Sequence, residues 1–119
     1  YGLPGVAFRA HVFEPTFQKH AHQSCGGAQM IVMDRETFKP VLTGIAVLCA
    51  LQSQDPESFT WRTERYEYIT DRLAIDLLLG DPKIREAVEA GHAPRDISDM
   101  MLPHTESYIE RSRSFWVYD

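Results

Sequence analysis

Long apolar runs, cysteine and basic charge are all scarce in this sequence of 119 residues. No apolar run approaches the ~20 residues that a membrane-spanning helix needs, so no membrane span is expected. The 12 basic residues are outnumbered by 17 acidic ones and form no stripe, which argues against nucleic acid as a partner. The two cysteines, Cys25 and Cys49, form either a disulfide or two buried thiols, and their spacing does not decide between these.

The composition is that of one folded domain. A hydrophobic fraction of 44% and a charged fraction of 24% exclude intrinsic disorder. The length suits one domain with a core of its own. The chain begins at Tyr1 without a methionine or a basic and apolar leader. We therefore expect a piece of a longer protein, which carries only part of a functional site.

Three segments have the residue patterns of strands. Residues 6–13 alternate and are rich in β-branched and aromatic side chains, which predicts a half-buried strand. Residues 26–34 are apolar at both alternating sets of positions except at Gln29, which predicts a central strand covered on both faces. Gln29 is then expected to be a buried amide. Residues 115–118 (FWVY) predict a last strand that returns to the sheet.

Helical spacing and helix-terminating residues predict several helices. One runs from about Pro40, with Thr37 as a cap, and ends before Asp55-Pro56. Residues 71–79 and 82–90 follow as two helices in series, and another is expected after position 94 with a break near position 103. These elements predict an α+β fold, in which helices pack on a small mixed sheet in a single domain.

Three potential metal ligands, His20, His22 and Cys25, lie within six residues of a polar loop. The favoured interpretation is that the histidines form hydrogen bonds in the loop and that Cys25 is a small buried side chain, with no metal. A zinc site built from the three remains an alternative. A thiol nucleophile at Cys25 with a neighbouring histidine as base is a further one.

Carboxylates, aromatic rings and arginines alternate over residues 61–76. Such a set suits a saccharide cleft, because rings stack on sugars and charged groups bind hydroxyls and carboxylates, but it equally describes a solvated surface. Asp71 and Asp76 are about 140° apart on one helix, which excludes a catalytic pair there. Ordinary roles for them are a helix cap at Asp71 and an ion pair between Asp76 and Arg72.

Three segments, taken in order, resemble a known family. They are residues 13–34 (FEPTFQKHAHQSCGGAQMIVMD), 38–44 (FKPVLTG) and 66–80 (YEYITDRLAIDLLLG). They resemble the C-terminal domain of the exo-β-N-acetylmuramidases, which are bacterial glycoside hydrolases of peptidoglycan recycling from a former domain-of-unknown-function family. The similarity runs almost end to end, from residue 3 to residue 118.

The resemblance implies a two-domain polypeptide in which residues 1–119 are an auxiliary C-terminal domain and an N-terminal Rossmann-like domain holds the catalytic centre. It implies release of terminal N-acetylmuramic acid from muropeptides or related saccharides, no cofactor, and a periplasmic or secreted location. This chain alone is then expected to be inactive. The alternative is a non-catalytic module that binds the cell wall or another protein.

Six residues that match the family's motifs are the candidates for substrate binding: Lys19, Gln29, Glu67, Tyr68, Asp71 and Arg72. The resemblance suggests that Lys19 contacts a sugar or carboxylate, that Tyr68 stacks, and that the acidic residues and Arg72 position polar groups. Gln29 is equally suited to a structural role. Ile31 and Met33 depart from the pattern, since many relatives carry histidine and threonine there, and substrate specificity depends on whether those positions touch substrate.

Overall fold

The computed structural model describes residues 1–118, which divide into two compact units. The hairpin unit comprises Gly2–Pro40, and the helical unit comprises Tyr1 and the residues from Val41 on. Two strands and five α-helices confirm the α+β class. Within residues 1–118, no helix combines the length and the apolar character that crossing a bilayer requires.

The hairpin unit is built on two antiparallel strands, β1 (Val6–Phe13) and β2 (Cys25–Val32), paired over their whole length. The predictions of strands in these places are confirmed. The prediction that β2 is central and covered on both faces is wrong, because β2 pairs with β1 alone and its residues are exposed. Gln29 is therefore exposed, and its side-chain oxygen accepts a hydrogen bond from Arg9 Nε at 2.7 Å.

A tight turn follows β2. The carbonyl of Gly5 accepts hydrogen bonds from the amides of Met33 at 2.8 Å and Asp34 at 3.2 Å. The Asp34 carboxylate accepts from the Glu36 amide at 3.0 Å and from the Thr37 hydroxyl at 2.7 Å. The hydroxyl of Thr37 thus serves this turn and is not the predicted helix cap, since the helix begins only at Pro40.

The helical unit contains all five helices, which follow one another with short connections after the first. They are α1 (Pro40–Gln54), α2 (Ala74–Leu79), α3 (Pro82–Glu89), α4 (Pro94–Met100) and α5 (Leu102–Ser112). The expected starts at Pro82 and Pro94 are confirmed, as is the interruption between α4 and α5. Asp81 caps α3, its side chain accepting from the Lys83 amide at 2.9 Å.

The core of the helical unit is a cluster of apolar side chains from α1, α3 and α4. Its buried members are Ile45, Cys49, Ile84, Ala87, Val88 and Ile97. Cys49 and Cys25 are both free thiols, the first buried here and the second half-buried in the hairpin unit, so the disulfide alternative is wrong. Burial raises the pKa of the Cys49 thiol, which keeps it protonated and unreactive.

The predicted strand at 115–118 is wrong. The chain leaves α5 through a 3₁₀ turn, Arg113–Phe115, and no strand is found in the part of this segment that the structure describes. The indole nitrogen of Trp116 donates to the Ser112 hydroxyl at 3.2 Å, which ties the segment back to the end of α5. An apolar and aromatic run predicts extended backbone only where a sheet edge receives it.

Candidate functional site

The exposed turn between α1 and α2 carries two of the six candidates. Tyr66 and Ile69 form an isolated antiparallel bridge, with the Ile69 amide donating to the Tyr66 carbonyl at 3.1 Å. Glu67 and Tyr68 occupy the tip between them, and Glu67 has a left-handed backbone with φ of 53°. Tyr68 is 86% exposed. A large aromatic ring held this far into solvent is available to stack on a ligand.

Arg65 braces this tip. Its Nε donates to the Glu67 carbonyl at 2.9 Å, and its guanidinium carbon lies 5.9 Å from the centre of the Tyr68 ring. The first contact fixes the backbone at the strained residue, and the second is a cation–π arrangement. The turn therefore presents Tyr68 in a defined place before any ligand arrives.

Asp71 and Arg72 follow the turn as exposed residues ahead of α2. The helix begins only at Ala74, with Leu73 as an N-cap that makes no side-chain hydrogen bond. The predicted cap at Asp71 is therefore wrong. The predicted pair of Asp76 with Arg72 is wrong as well, because Arg72 precedes the helix and the four-residue spacing has no meaning there.

Asp76 is paired instead with Arg85 on α3, at 2.8 Å from carboxylate to Nε. Arg85 also donates to Glu89 Oε1 at 3.0 Å. The indole nitrogen of Trp61 donates to the same Glu89 oxygen at 2.8 Å. The Trp61 ring in turn meets Phe59 edge-on at 4.9 Å. Hydrogen bonds to the Asp76 and Glu89 carboxylates raise the pKa of the Arg85 guanidinium above its usual value, so Arg85 stays charged.

The network anchors both ends of the segment that carries the candidate turn. Trp61 lies before the turn and Asp76 after it, and both are bound to α3 through the same short chain of hydrogen bonds. Sequence reasoning missed Arg85. The four-residue spacing between Arg85 and Glu89 could have indicated an ion pair on one helix. The pairing of Arg85 with Asp76 on α2 could not be predicted from spacing.

Lys19 and Gln29 belong to the hairpin unit. Lys19 is exposed in the loop between β1 and β2, flanked by Gln18 and His20 with left-handed backbones, φ of 63° and 57°. The loop is closed on itself by the His22 amide, which donates to the Pro15 carbonyl at 2.8 Å. Lys19 is thus a cation at the tip of an ordered loop, whereas the Gln29 amide is engaged by Arg9.

The loop does not bring the three potential zinc ligands, His20, His22 and Cys25, together as a metal-binding group. Over residues 1–118, no three histidine, cysteine, aspartate or glutamate side chains converge as a metal site requires. His22 lies 3.9 Å from the Glu14 carboxylate, and the Cys25 thiol donates to the Gln23 carbonyl at 3.5 Å. His22 and Cys25 thus each make a contact within the loop or at its edge.

A shallow groove in the helical unit lies apart from the candidate residues. It has a volume of about 270 Å³. Residues of α2, α3, α4 and α5 line it, Leu79, Ile84 and His104 among them. None of the six candidates lines it. The six candidates therefore lie on the exposed surface of their units.

Two comparisons with known proteins indicate the class of protein to which this chain is similar. The fold matches the crystal structure of a DUF1343 family protein from Bacteroides fragilis with a TM-score of 0.74, at 19% identity over 98% of this chain and 30% of the other. The chain is 32% identical over 116 residues to the peptidoglycan β-N-acetylmuramidase NamZ of Bacillus subtilis.

Residues 1–118 match the family model described as exo-β-N-acetylmuramidase NamZ, C-terminal. The chain belongs to this family, as its sequence motifs predicted. The alignment with the Bacillus subtilis protein includes 98% of this chain but only 26% of that protein. The chain therefore spans about a quarter of that relative's length.

Proposed function

We propose that this chain is the substrate-positioning domain of a peptidoglycan exo-β-N-acetylmuramidase whose catalytic acid and base lie in another domain of the same polypeptide. The match of residues 1–118 to the C-terminal part of that family carries the proposal. The exposed and braced Tyr68 turn supports it, because sugar-binding proteins use rigid aromatic faces of this kind.

Five of the six candidate residues then have a role that their chemistry allows. The Tyr68 ring stacks on the apolar face of a sugar, and the Glu67 and Asp71 carboxylates accept hydrogen bonds from hydroxyl groups. The guanidinium of Arg72 binds the lactyl or peptide carboxylate of a muramic acid residue. Lys19 offers a second cation for the same kind of group. The location that goes with this function is the periplasm or the cell surface, where peptidoglycan fragments are found.

The proposal is tested in the full-length polypeptide with a chromogenic muramic acid substrate. Tyr68→Ala removes one stacking partner and is expected to lower kcat/KM about tenfold, equivalent to about 1.4 kcal/mol. Tyr108→Ala is the matched control, since Tyr108 is an exposed tyrosine on α5 and its loss should leave turnover within about twofold.

Arg72→Ala and Lys19→Ala extend the test to charged groups, with the larger loss expected on substrates that carry a free carboxylate. If all three substitutions leave turnover intact, the positioning role is wrong. A chain that keeps full turnover but no longer sediments with insoluble peptidoglycan after Tyr68→Ala would establish the alternative, a wall-binding module.

A further inference from the structure

The register of the hairpin places a continuous set of apolar side chains on one face. Directly opposed residues of an antiparallel pair point to the same side, and every second residue shares that side. The apolar hairpin face consists of Val6, Phe8, Ala10 and Val12 of β1, opposite Val32, Met30, Ala28 and Gly26 of β2. No member of this set has a polar side chain, whereas the other face includes Arg9, His11 and Gln29.

The apolar hairpin face is accessible to solvent. Phe8, Val12, Met30 and Val32 are all exposed large hydrophobic residues. An isolated two-stranded hairpin is marginally stable in water and normally gains its stability by packing one face on another element. Since no described residue of the hairpin unit is buried, its contiguous apolar face is the surface on which such packing would occur.

The dimensions of the face decide between occupants. Two strands of eight residues at about 3.4 Å per residue and about 4.8 Å apart offer roughly 270 Å² of surface. A second copy of the chain would bury about twice that area, well below the ~1,200 Å² of a stable interface. A domain joined covalently needs far less area, because the linkage supplies an effective concentration in the millimolar range.

We propose that the apolar hairpin face packs against an apolar surface of another domain of the same polypeptide. This rests on the proposed function, in which the chain works as one domain of a longer enzyme. The relatives allow for such an occupant, since this chain spans 26% of the Bacillus subtilis protein and 30% of the Bacteroides fragilis chain. The face is then the surface by which the hairpin unit is attached to the catalytic domain.

Hydroxyl-radical footprinting with mass spectrometry of the full-length polypeptide tests this. Met30 lies on the apolar hairpin face and is 49% exposed, and Met33, just beyond β2, is 68% exposed and serves as the internal reference. Exposure alone accounts for less than about a twofold difference in oxidation. A covered face is expected to slow Met30 at least about tenfold relative to Met33.

Two comparisons identify the occupant. The 119-residue chain alone is expected to show no such protection, and protection there would mean that the chain covers its own face, which overturns the proposal. Protection in the full-length protein that disappears on hundredfold dilution would mean a second copy and overturns it too. A ratio below about twofold in the full-length protein means that the face is not covered.

A pair of variants assigns the protection to this face. Val12→Asp puts a carboxylate on the apolar hairpin face, and it is expected to bring the two oxidation rates back to within about twofold of each other. His11→Asp changes the neighbouring residue on the opposite face and is expected to leave Met30 protected. Unchanged protection in Val12→Asp contradicts the proposal. None of these measurements uses turnover, so a failure of the muramidase assay and a failure of the docking surface are seen separately.

Discussion

The two units of this chain are stabilised in different ways. Of the residues that the structure describes, every buried side chain lies in the helical unit, and none lies in Gly2–Pro40. The hairpin unit nevertheless has a complete ladder of eight residue pairs and a well-bonded turn at Asp34. Side-chain burial therefore orders the helices, whereas main-chain hydrogen bonds and local turns order the hairpin. Variants of the 119-residue chain distinguish the two kinds of stabilisation.

The largest expected difference comes from matched truncations in the two units. Ile97 is fully buried in the helical core, and Ile97→Ala is expected to lower the free energy of unfolding by about 3 kcal/mol because it leaves a cavity. Val12→Ala removes an exposed apolar group from the hairpin and should cost less than about 0.5 kcal/mol. Urea denaturation followed by circular dichroism measures both. Similar costs would mean that the hairpin has a core after all.

A backbone substitution is expected to affect the hairpin more than any loss of its apolar side chains. Gly5 has φ of 67°, and a Cβ there would lie 2.6 Å from the Phe38 nitrogen and still closer to the Asp34 carbonyl oxygen. Gly5→Ala should therefore destabilise the turn by about 2 kcal/mol. Gly26→Ala is the control, since a Cβ there meets no atom within 4 Å. Amide hydrogen exchange at Met33 reports the effect, and equal exchange in both variants would contradict it.

In the helical unit the comparable polar contribution comes from Arg85. Its side chain is 17% exposed and that of Asp76 is 11% exposed, so Arg85→Met leaves a largely buried carboxylate without its partner and should cost about 2 kcal/mol. Arg62→Met breaks the solvent-exposed pair with Glu64 and should cost no more than about 0.5 kcal/mol. Thermal unfolding of both variants, followed by circular dichroism, tests this. An equal loss would show that burial of the pair is unimportant.

The free thiols provide one reporter in each unit. Cys25 is half-buried in the hairpin and Cys49 is buried in the helical core with a raised pKa. Cys25 is therefore expected to react with a maleimide at least about tenfold faster than Cys49. In concentrated urea the two rates should become similar. A fast Cys49 in the native chain would mean that the helical core opens as readily as the hairpin.

The smallest expected effect is a pH dependence of the hairpin turn. Hydrogen bonds from the Thr37 hydroxyl and the Glu36 amide lower the pKa of Asp34 below its ordinary value near 3.8. Because the folded-state value is the lower one, the contribution to stability is complete above the unfolded pKa and is lost as the pH falls through the folded pKa. An NMR titration of the Asp34 carboxyl should show the lowered value, and Thr37→Val should raise it. No change in that variant would rule out the hydroxyl as the main cause.

Local signals in the sequence predicted much of this fold. Pairs such as Asp81-Pro82 determine where a helix begins through their own backbone restrictions, and α3 and α4 begin at the predicted prolines. The last segment, FWVY, was predicted wrongly because a strand needs a partner edge that no local pattern specifies. The Asp76–Arg85 pair joins two helices across a turn, so it was outside the reach of spacing arguments as well.

The sequence supplied the six candidate residues, but it could not predict the contacts that support them. The chemistry of Tyr68 and Arg72 was evident from residue type and from the family resemblance. The contact of Arg65 with the Glu67 carbonyl depends on a left-handed residue, and a non-glycine residue adopts that conformation too rarely to be predicted. The roles of all six candidates as substrate contacts remain predictions.

The position of the Arg85 network has an evolutionary consequence. Its contacts hold Trp61 and Asp76, which flank the turn at 66–69 and lie outside it. Substitutions at the tip can therefore accumulate without a loss of thermal stability, while the flanking residues stay under selection for folding. The residues that hold this segment to α3 and the residues exposed at its tip are therefore different ones, so the tip can vary in sequence while the fold is kept.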